Sequence, residues 1–515
     1  MNLVDANPYQ WAIIIFMIIS LTVGVLTYRL VKKSGKRYII AGRSLPWYMV
    51  GTMFAAQAID GNSGLGSAGL IYDFGIWAGI IIPIGVGLTQ FQTGALFAKI
   101  LNRMKMYTFA DFYHRRYGAK MEVTSSGVMI ASFIVLLMGN FAATGFVLSV
   151  VFGIDFALAI SIGALIVLVY TFAGGLFASA YTDIFQIYLG IFGLWAGFIF
   201  FAGGFSGVEW QVILDAVPVS QYDFSGLTDP ANGAYMNWAG LIALTVGNTI
   251  ALDFMERIFA ARSPKDARRG SFMGGALTLF TVIPVAGLGI VGIFLVTDVE
   301  ESFTVFPILA MEHLPFWIGA IMLMSVLGAS MSTANGALLA MASVCSRNLL
   351  VRNVLKKYTT KRTGLSDKSL LAVTRLFVIP IMITGVILGY LVPQPGALVI
   401  LTFDIVFSGA FACLVLGMFW SKANTPAALS CIAVGLTLRI LFFFIMPEEW
   451  WGFDTIIPPL VATPVFIIVA LLTQNKYPGK ARYSIKDYVA PEEHLEDDSV
   501  MDHWFKNEGA SKNLP

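Results

Sequence analysis

Between Phe54 and Gly75 the chain reads FAAQAIDGNSGLGSAGLIYDFG. Apolar segments flank it, yet its middle combines Asp60 with glycine, asparagine and serine, which are poor helix formers. A charged residue at the centre of a bilayer costs roughly 2.5–3.5 kcal/mol on insertion scales. Such a run inside a membrane span indicates an unwound helix whose carbonyl groups face a cavity. The alternative, an ordinary helix that uses small residues for packing, does not account for Asp60.

Composition places this stretch in a membrane protein. Charged residues make up 12% of the 515 and hydrophobic residues 57%, whereas about a quarter of a soluble domain is charged. A span needs about 20 mostly apolar residues. Thirteen segments meet this requirement: 9–31, 47–72, 76–100, 123–152, 155–173, 178–204, 236–258, 271–296, 316–346, 369–392, 396–420, 424–446 and 455–474. We therefore predict an all-α polytopic membrane domain over residues 1–474, followed by a disordered polar tail, 475–515.

Basic and acidic residues occupy alternate loops. The basic clusters lie at 32–43, 103–120, 257–269 and 347–368. The loops between them are acidic and contain no Lys or Arg: 205–235, 297–315 and 447–454. The positive-inside rule puts the basic loops in the cytoplasm. We expect a multi-pass protein of the cell (inner) membrane with its N-terminus outside and its C-terminus in the cytoplasm, as an odd number of spans requires.

The sequence gives little indication of a nucleic-acid-binding protein, a disulfide-bonded or metal-binding protein, or an enzyme. A net charge of +2 gives no sign of a nucleic-acid partner. Cys345, Cys413 and Cys431 lie in or beside apolar segments without CxxC spacing, and the four histidines are scattered. The sequence therefore predicts no disulfide, no metal cluster and no enzyme active site. It does not indicate an oligomeric state.

A second polar run lies in the ninth span, which reads LGASMSTANGALLAMAS from Leu327. Ser332 and Thr333 are adjacent there and follow Ala329 by one turn. Hard cations bind oxygen ligands, and a broken helix supplies carbonyls while a facing helix supplies hydroxyls. A Ser-Thr pair in a helix usually bonds to the preceding turn, so the pair alone is weak support for an ion site.

These runs, with two further motifs, resemble the sodium:solute symporter family, which includes the proline, galactose and sodium/glucose symporters. GGLFASAYTDIFQ begins at Gly174, and ERIFAARSPKDARRG begins at Glu256. The resemblance implies a leucine-transporter-like core of two inverted five-helix repeats, about 47–204 and 236–420. Three helices are then additional to the core: 9–31, 424–446 and 455–474. The family also implies alternating access, in which a bundle rocks around a site at the membrane midplane.

The resemblance implies sodium ligands residue by residue. The main site takes the carbonyls of Ala56, Ile59 and Ala329 and the hydroxyls of Ser332 and Thr333. Some relatives bind a second sodium, for which Asp183 and Asn335 are the candidate ligands here. Gly336 occupies a further position of that second site and has no side chain to offer.

Polar side chains of three spans form the candidate substrate site: Gln57, Asp60, Asn62, Ser63, Asn248, Asp253 and Asp404. The sugar carriers are uncharged at the position of Asp60, and their aromatic gate and Asn-Gln pair are missing from the stretch that begins at Gly247. An ionised buried carboxylate needs a cationic partner. We therefore expect a solute with a cationic group, such as an amino acid or amine. The alternative is that Asp60 accepts hydrogen bonds from helix-end amides.

Together these features predict a symporter that uses sodium as its coupling ion to import a small organic solute across the lipid bilayer. A passive channel or facilitator is one alternative, and it would need no tight ion site. A transporter-derived membrane sensor is another, although the tail is too short for a folded cytoplasmic domain.

Overall fold

The structure, a computed structural model, describes residues 7–297, 299–355 and 366–480. Most of the predicted disordered tail therefore lies outside the described residues. The described chain is helical apart from its loops and one isolated parallel β-bridge between Leu45 and Ala261. The prediction of an all-α polytopic membrane fold is confirmed.

Seven long helices form the first half of the chain: α1 (Pro8–Leu26), α2 (Trp47–Ala58), α3 (Gly61–Phe74), α4 (Ile76–Gln92), α5 (Ala119–Phe152), α6 (Phe156–Gly174) and α7 (Leu176–Ala202). The second half contains α8 (Ala234–Val246), α9 (Leu252–Ala260), α10 (Pro264–Leu279), α11 (Val282–Leu295), α12 (Phe316–Ser343), α13 (Asp367–Leu391), α14 (Ala397–Phe407), α15 (Ala410–Phe419), α16 (Thr425–Ile445) and α17 (Phe453–Leu472).

Short helical segments connect these elements. The α-helical ones are Tyr28–Val31, Gly35–Ile40, Ala98–Arg103, Ala110–Tyr117, Trp210–Ala216, Ser225–Thr228 and Val305–Glu312. Tighter turns of 3₁₀-helix occupy Ala41–Arg43, Val219–Gln221, Pro230–Asn232, Gly247–Ile250, Ser302–Thr304 and Glu448–Trp450. Wider π-helical turns occupy Thr93–Phe97 and Val344–Leu355.

Ten continuous helical stretches of the described chain are long and apolar enough to cross a membrane. Two more do so as bent pairs: α8 with α9 at 45°, and α14 with α15 at 47°. The remaining predicted span consists of α2 and α3, which have 12 and 14 residues. The count of thirteen spans therefore stays a prediction.

The seventh and eleventh predicted spans, 236–258 and 396–420, are both broken, whereas the sequence predicts one continuous span for each. In the eleventh, α14 ends at Phe407, and α16 packs closely against the connection to α15. A Cβ atom added at Gly435 of α16 would lie 2.1 Å from the carbonyl oxygen of Ser408. The bend thus coincides with a helix crossing at which only a glycine fits, and a crossing of this kind depends on tertiary contacts.

Glycines also bring α7 and α12 close together. A Cβ atom at Gly193 would lie 2.9 Å from the side chain of Ile321, and one at Gly197 would lie 2.6 Å from Met322. Small residues of this kind let membrane helices approach closely. The contact sets Asp183 of α7 against Ser332 of α12.

The β-bridge joins the start of α2 to the end of α9. The amide of Leu45 donates to the carbonyl of Ala260 at 3.1 Å, and the amide of Arg262 donates to the carbonyl of Leu45 at 3.0 Å. Two of the three broken spans, α2–α3 and α8–α9, are therefore connected through main-chain atoms at the end of the molecule that carries the basic loops.

Candidate functional site

The break between α2 and α3 confirms the interruption expected in this span. The amide of Ile59 is the last that bonds back into α2, and Asp60 then caps the start of α3. The Asp60 carboxylate accepts hydrogen bonds from the Ser63 amide at 2.7 Å and the Ser63 hydroxyl at 2.8 Å. In the described chain, the carbonyls of Ala56 and Ile59 receive no main-chain hydrogen bond. Both carbonyls are therefore available as ligands.

The second oxygen of Asp60 is also occupied by neutral groups. It accepts from the side-chain amides of Asn140 at 2.8 Å and Asn62 at 3.3 Å. Asp60 is 2% exposed, and the described residues include no salt bridge to it. The geometry therefore matches the alternative interpretation, in which Asp60 accepts the free donors of a helix end.

Two of the predicted sodium ligands, Ala56 of α2 and Thr333 of α12, meet beside this break. The Thr333 hydroxyl lies 3.5 Å from the carbonyl oxygen of Ala56. The side-chain amide of Gln57 donates to the carbonyl of Ser332 at 3.1 Å and lies 3.3 Å from its hydroxyl. Ala329 lies one turn before Thr333 on the same helix. A set of carbonyl and hydroxyl oxygens of this kind fits a hard cation such as sodium.

Asp183 borders this oxygen set and reaches an arginine through one hydroxyl group. It accepts from the Ser332 hydroxyl at 2.6 Å and, on its other oxygen, from the Ser179 hydroxyl at 2.9 Å. The fully buried Arg257 places Nη2 3.4 Å from the Ser179 oxygen. Its Nη1 donates to the carbonyl of Asp253 at 2.6 Å. A built-in cation therefore lies beside the acid that we predicted for a second sodium.

Gly336 makes room for this guanidinium group. A Cβ atom at residue 336 would lie 2.8 Å from Nη2 of Arg257 and 3.0 Å from Oε1 of Gln57. The neighbouring Asn335 is fully buried, and neither its oxygen nor its nitrogen has a hydrogen-bond partner among the described residues. Of the two candidate ligands, Asp183 is thus engaged and Asn335 keeps unused hydrogen-bonding capacity.

The break between α8 and α9 carries two of the predicted substrate residues. Asn248 lies in the connecting turn, and both atoms of its buried side-chain amide lack a partner in the described structure. Asp253 lies in the first turn of α9, and its carboxylate accepts from the Phe254 amide at 2.8 Å. These two side chains therefore retain more hydrogen-bonding capacity than Asp60.

Asp404 differs from this group because it already has a charged partner. It forms an ion pair with Arg439 of α16, which also lies 3.2 Å from Asp454. Intramembrane acids and bases pair in this way to offset the cost of burying charge. We therefore leave Asp404 out of the site.

Arg257, Glu256 and Asn140 were missed by the sequence reasoning. Glu256 and Arg257 lie near the end of the predicted span 236–258 and begin the ERIFAARSPKDARRG motif. Their position inside a predicted span was a signal that both charges are buried. Glu256 is 2% exposed, and its carboxylate oxygens have no hydrogen-bond partner in the described chain. Asn140 stood alone in an apolar run, and nothing in the sequence pointed it towards Asp60.

Known proteins resemble this chain over most of its length. A model of the sodium:solute symporter family matches residues 38–435. The human high affinity choline transporter 1 is 27% identical over 466 residues, which cover 83% of this chain and 76% of that protein. The sodium/glucose cotransporter of Vibrio parahaemolyticus is 26% identical over 484 residues, which cover 86% of each chain.

A solved structure shares the fold. The substrate-bound, outward-open state of a Na⁺-coupled sialic acid symporter superposes with a TM-score of 0.77 at 16% identity. The match covers 92% of this chain and 99% of the symporter. The chain belongs to the sodium:solute symporter family and is a membrane transport protein, not an enzyme.

Proposed function

We propose that this protein is a symporter that couples the inward movement of sodium to the import of a small solute with a cationic group. The observation that carries the proposal is the oxygen set between α2 and α12, where the Thr333 hydroxyl lies 3.5 Å from the Ala56 carbonyl, which accepts no main-chain hydrogen bond in the described chain. Ion and solute sites at broken helices are typical of transporters that work by alternating access.

One sodium ion accompanies each solute in this proposal. The buried acid beside the main site, Asp183, already shares the Ser179 hydroxyl with Arg257. A second sodium ion there would lie next to the buried guanidinium group of Arg257, and the two positive charges would repel each other. The absence of a side chain at Gly336 also removes one ligand that such an ion would need.

The charges around the site favour a cationic solute. Three buried carboxyl groups, those of Asp183, Asp253 and Glu256, lie close enough to interact with the Arg257 guanidinium group, and a fourth, Asp60, lies near Asp253. Buried charge is costly without a partner, and one sodium leaves acidic groups in excess. Asp253 and Asn248, which retain hydrogen-bonding capacity, are the proposed contacts of the solute's polar group. The likeness to choline transporters supports an amine, and the likeness to a proline symporter supports an amino acid.

The charge pattern of the loops supports the proposed orientation. The basic clusters lie in the cytoplasm of the cell, the N-terminus outside and the C-terminus inside. Rocking of the core then carries the site from the outer to the inner face.

The test uses the purified protein and sodium alone. A ligand that binds only the folded state raises the unfolding temperature, so NaCl should stabilise the protein more than KCl does. The double variant Ser332→Ala/Thr333→Ala should lose this difference and sodium-driven uptake in vesicles. Ser325→Ala is the matched control, because its buried hydroxyl bonds within α12 to the Met322 carbonyl at 2.7 Å. If NaCl stabilised the double variant over KCl as much as it stabilises the wild type, Ser332 and Thr333 would not be sodium ligands.

The solute is then identified by screening amines and amino acids for stabilisation in NaCl. Because coupling between two binding sites is reciprocal, the true solute should strengthen sodium binding. Uptake that is equally fast with and without a sodium gradient would instead indicate a passive facilitator.

A further inference from the structure

A groove of about 400 Å³ lies on the outside of the helix bundle, at the end that carries the basic loops. It is formed where α1 and α6 end, beside the third turn of α13. Val25, Leu26 and Phe172 supply its apolar walls, and Arg29 and Arg375 supply its charge. None of the residues that line the groove belongs to the proposed transport site, and the groove is independent of the proposed function.

Arg375 is held in place but not neutralised. Its Nη2 donates to the carbonyl of Ala173 at 3.0 Å, and its guanidinium carbon lies 5.1 Å from the ring centre of Phe172 and 5.3 Å from that of Tyr38. Its Nε is buried without a hydrogen-bond partner in the described chain. A guanidinium group that is already fixed in orientation loses little freedom when it binds an anion.

The surroundings of the groove are basic. Arg29 is exposed, and no salt bridge to Arg29 or Arg375 is present among the described residues. Asp367 lies two turns before Arg375 on α13, and its carboxylate accepts from the main-chain amide of Lys36 at 2.9 Å. Arg29 and Arg375 thus both line a groove whose exposed surface is otherwise almost entirely apolar.

The apolar walls face outward, where the membrane lies. Leu26 is 55% exposed and Phe172 is 40% exposed, which is unfavourable in water and favourable against acyl chains. Basic pockets between membrane helices bind anionic lipid head groups, and arginine binds phosphate through several donors at once. A soluble anion would use the arginines but not these walls.

We propose that this groove is a binding site for an anionic phospholipid. The lipid phosphate lies between Arg29 and Arg375, and an acyl chain lies along Val25, Leu26 and Phe172. The site selects lipids by charge, so a zwitterionic lipid binds more weakly.

The experiment is native mass spectrometry of the purified full-length protein, titrated with dioleoylphosphatidylglycerol or dioleoylphosphatidylcholine. The wild type should retain one phosphatidylglycerol molecule more tightly than phosphatidylcholine. Arg29→Gln should weaken this binding about five-fold, since each basic residue near an anionic membrane surface contributes about 1 kcal/mol. Arg269→Gln is the matched control, because it removes an exposed arginine at the same end and should bind like the wild type.

Three results would overturn the proposal. Equal binding by the wild type and Arg29→Gln would exclude the arginine pair, and equal retention of both lipids would leave only an apolar contact. Competition by millimolar inorganic phosphate would mean a site for a soluble anion instead. An unchanged unfolding temperature for Arg29→Gln, an exposed position, would establish that the variant is folded.

Discussion

Hydrogen bonding distinguishes two carboxylates that the sequence alone could not separate. Asp60 accepts from Ser63, Asn62 and Asn140, all of them neutral donors fixed by the fold. Asp253 accepts from one amide of its own helix. An acid whose acceptor positions are filled by structure has little left for a ligand, so we propose Asp253, rather than Asp60, as the contact of the solute's cationic group.

Replacing each acid by its amide should therefore affect a different property: stability for Asp60 and solute affinity for Asp253. Asp60→Asn turns an amide nitrogen towards the donors of Asn140 and Asn62, and an unsatisfied buried group costs about 1–3 kcal/mol. This variant should unfold at a lower temperature. Asp253→Asn should unfold near the wild-type temperature but bind the cationic solute at least about ten-fold more weakly, since hydrogen bonds to charged groups contribute about 1.5–3 kcal/mol.

Thermal unfolding and solute titration in NaCl measure both effects on the same samples. A stable Asp60→Asn protein that binds no solute would return the substrate role to Asp60. Normal solute affinity in Asp253→Asn would contradict the assignment of Asp253.

Gly336 gives a second prediction for a single residue. The methyl group of Gly336→Ala would lie 2.8 Å from Arg257 and 3.0 Å from Gln57, so both side chains must move. Because Gln57 bonds to Ser332, we expect weaker sodium binding, measured as a higher NaCl concentration for half-maximal stabilisation. Gly127→Ala is the control, since an added methyl group meets nothing there within 4 Å. An unchanged sodium response in Gly336→Ala would contradict the link between Arg257, Gln57 and the sodium site.

At the scale of elements, a polar cluster joins the start of α5 to the helical segment Val344–Leu355. Arg352 lies 2.8 Å from Asp111 and 2.5 Å from Glu122. Asn348 donates to the same two carboxylates, at 3.1 Å and 2.7 Å. These contacts fasten the end of α12 to the helix Ala110–Tyr117 and to α5, where the basic loops lie.

This cluster predicts a dependence of stability on acid. Burial alone would raise the pKa of Asp111, but Arg347 and Arg352 beside it hold that pKa well below its ordinary value. A carboxyl group with a lowered pKa stabilises the fold above its unfolded-state pKa, about 3.9, and loses that contribution as the pH falls. Asp111→Asn should thus be less stable than the wild type at pH 7, by roughly 3–5 kcal/mol.

The difference between the two proteins should shrink as the pH falls below about 4, which unfolding temperatures across a pH series would measure. Glu209→Gln serves as the control, because Glu209 is exposed and its side chain caps no helix. A difference that stays constant from pH 7 to pH 3 would contradict the role given to Asp111.

Most elements could be predicted because a membrane span needs a long apolar run. The break at Asp60 was predictable from its polar composition, whereas the break after Phe407 depends on the approach of Gly435 from another helix. The oxygen set at Ser332 and Thr333 followed from the family motif. The position of Arg257 did not, because a sequence does not say which way a side chain points at the end of a span.

At the scale of the whole molecule, the proposed stoichiometry predicts that transport responds to membrane potential. One sodium ion moves two charges with a solute of net charge +1 and one charge with a zwitterionic amino acid, and each charge is worth about 2.3 kcal/mol per 100 mV. Vesicles with an imposed inside-negative potential should take up the solute faster than vesicles without one. Sodium-dependent uptake that ignores the potential would require an anionic solute or a compensating counter-ion.

The β-bridge at Leu45 has a mechanical consequence for this transport cycle. Its two hydrogen bonds use main-chain atoms, so the joint does not depend on which side chains occupy residues 45 and 261. The ends of α2 and α9 cannot slide past each other without breaking both bonds. The two broken helices, α2–α3 and α8–α9, therefore share one main-chain joint, and Asp60 and Asp253 lie at the opposite ends of α2 and α9.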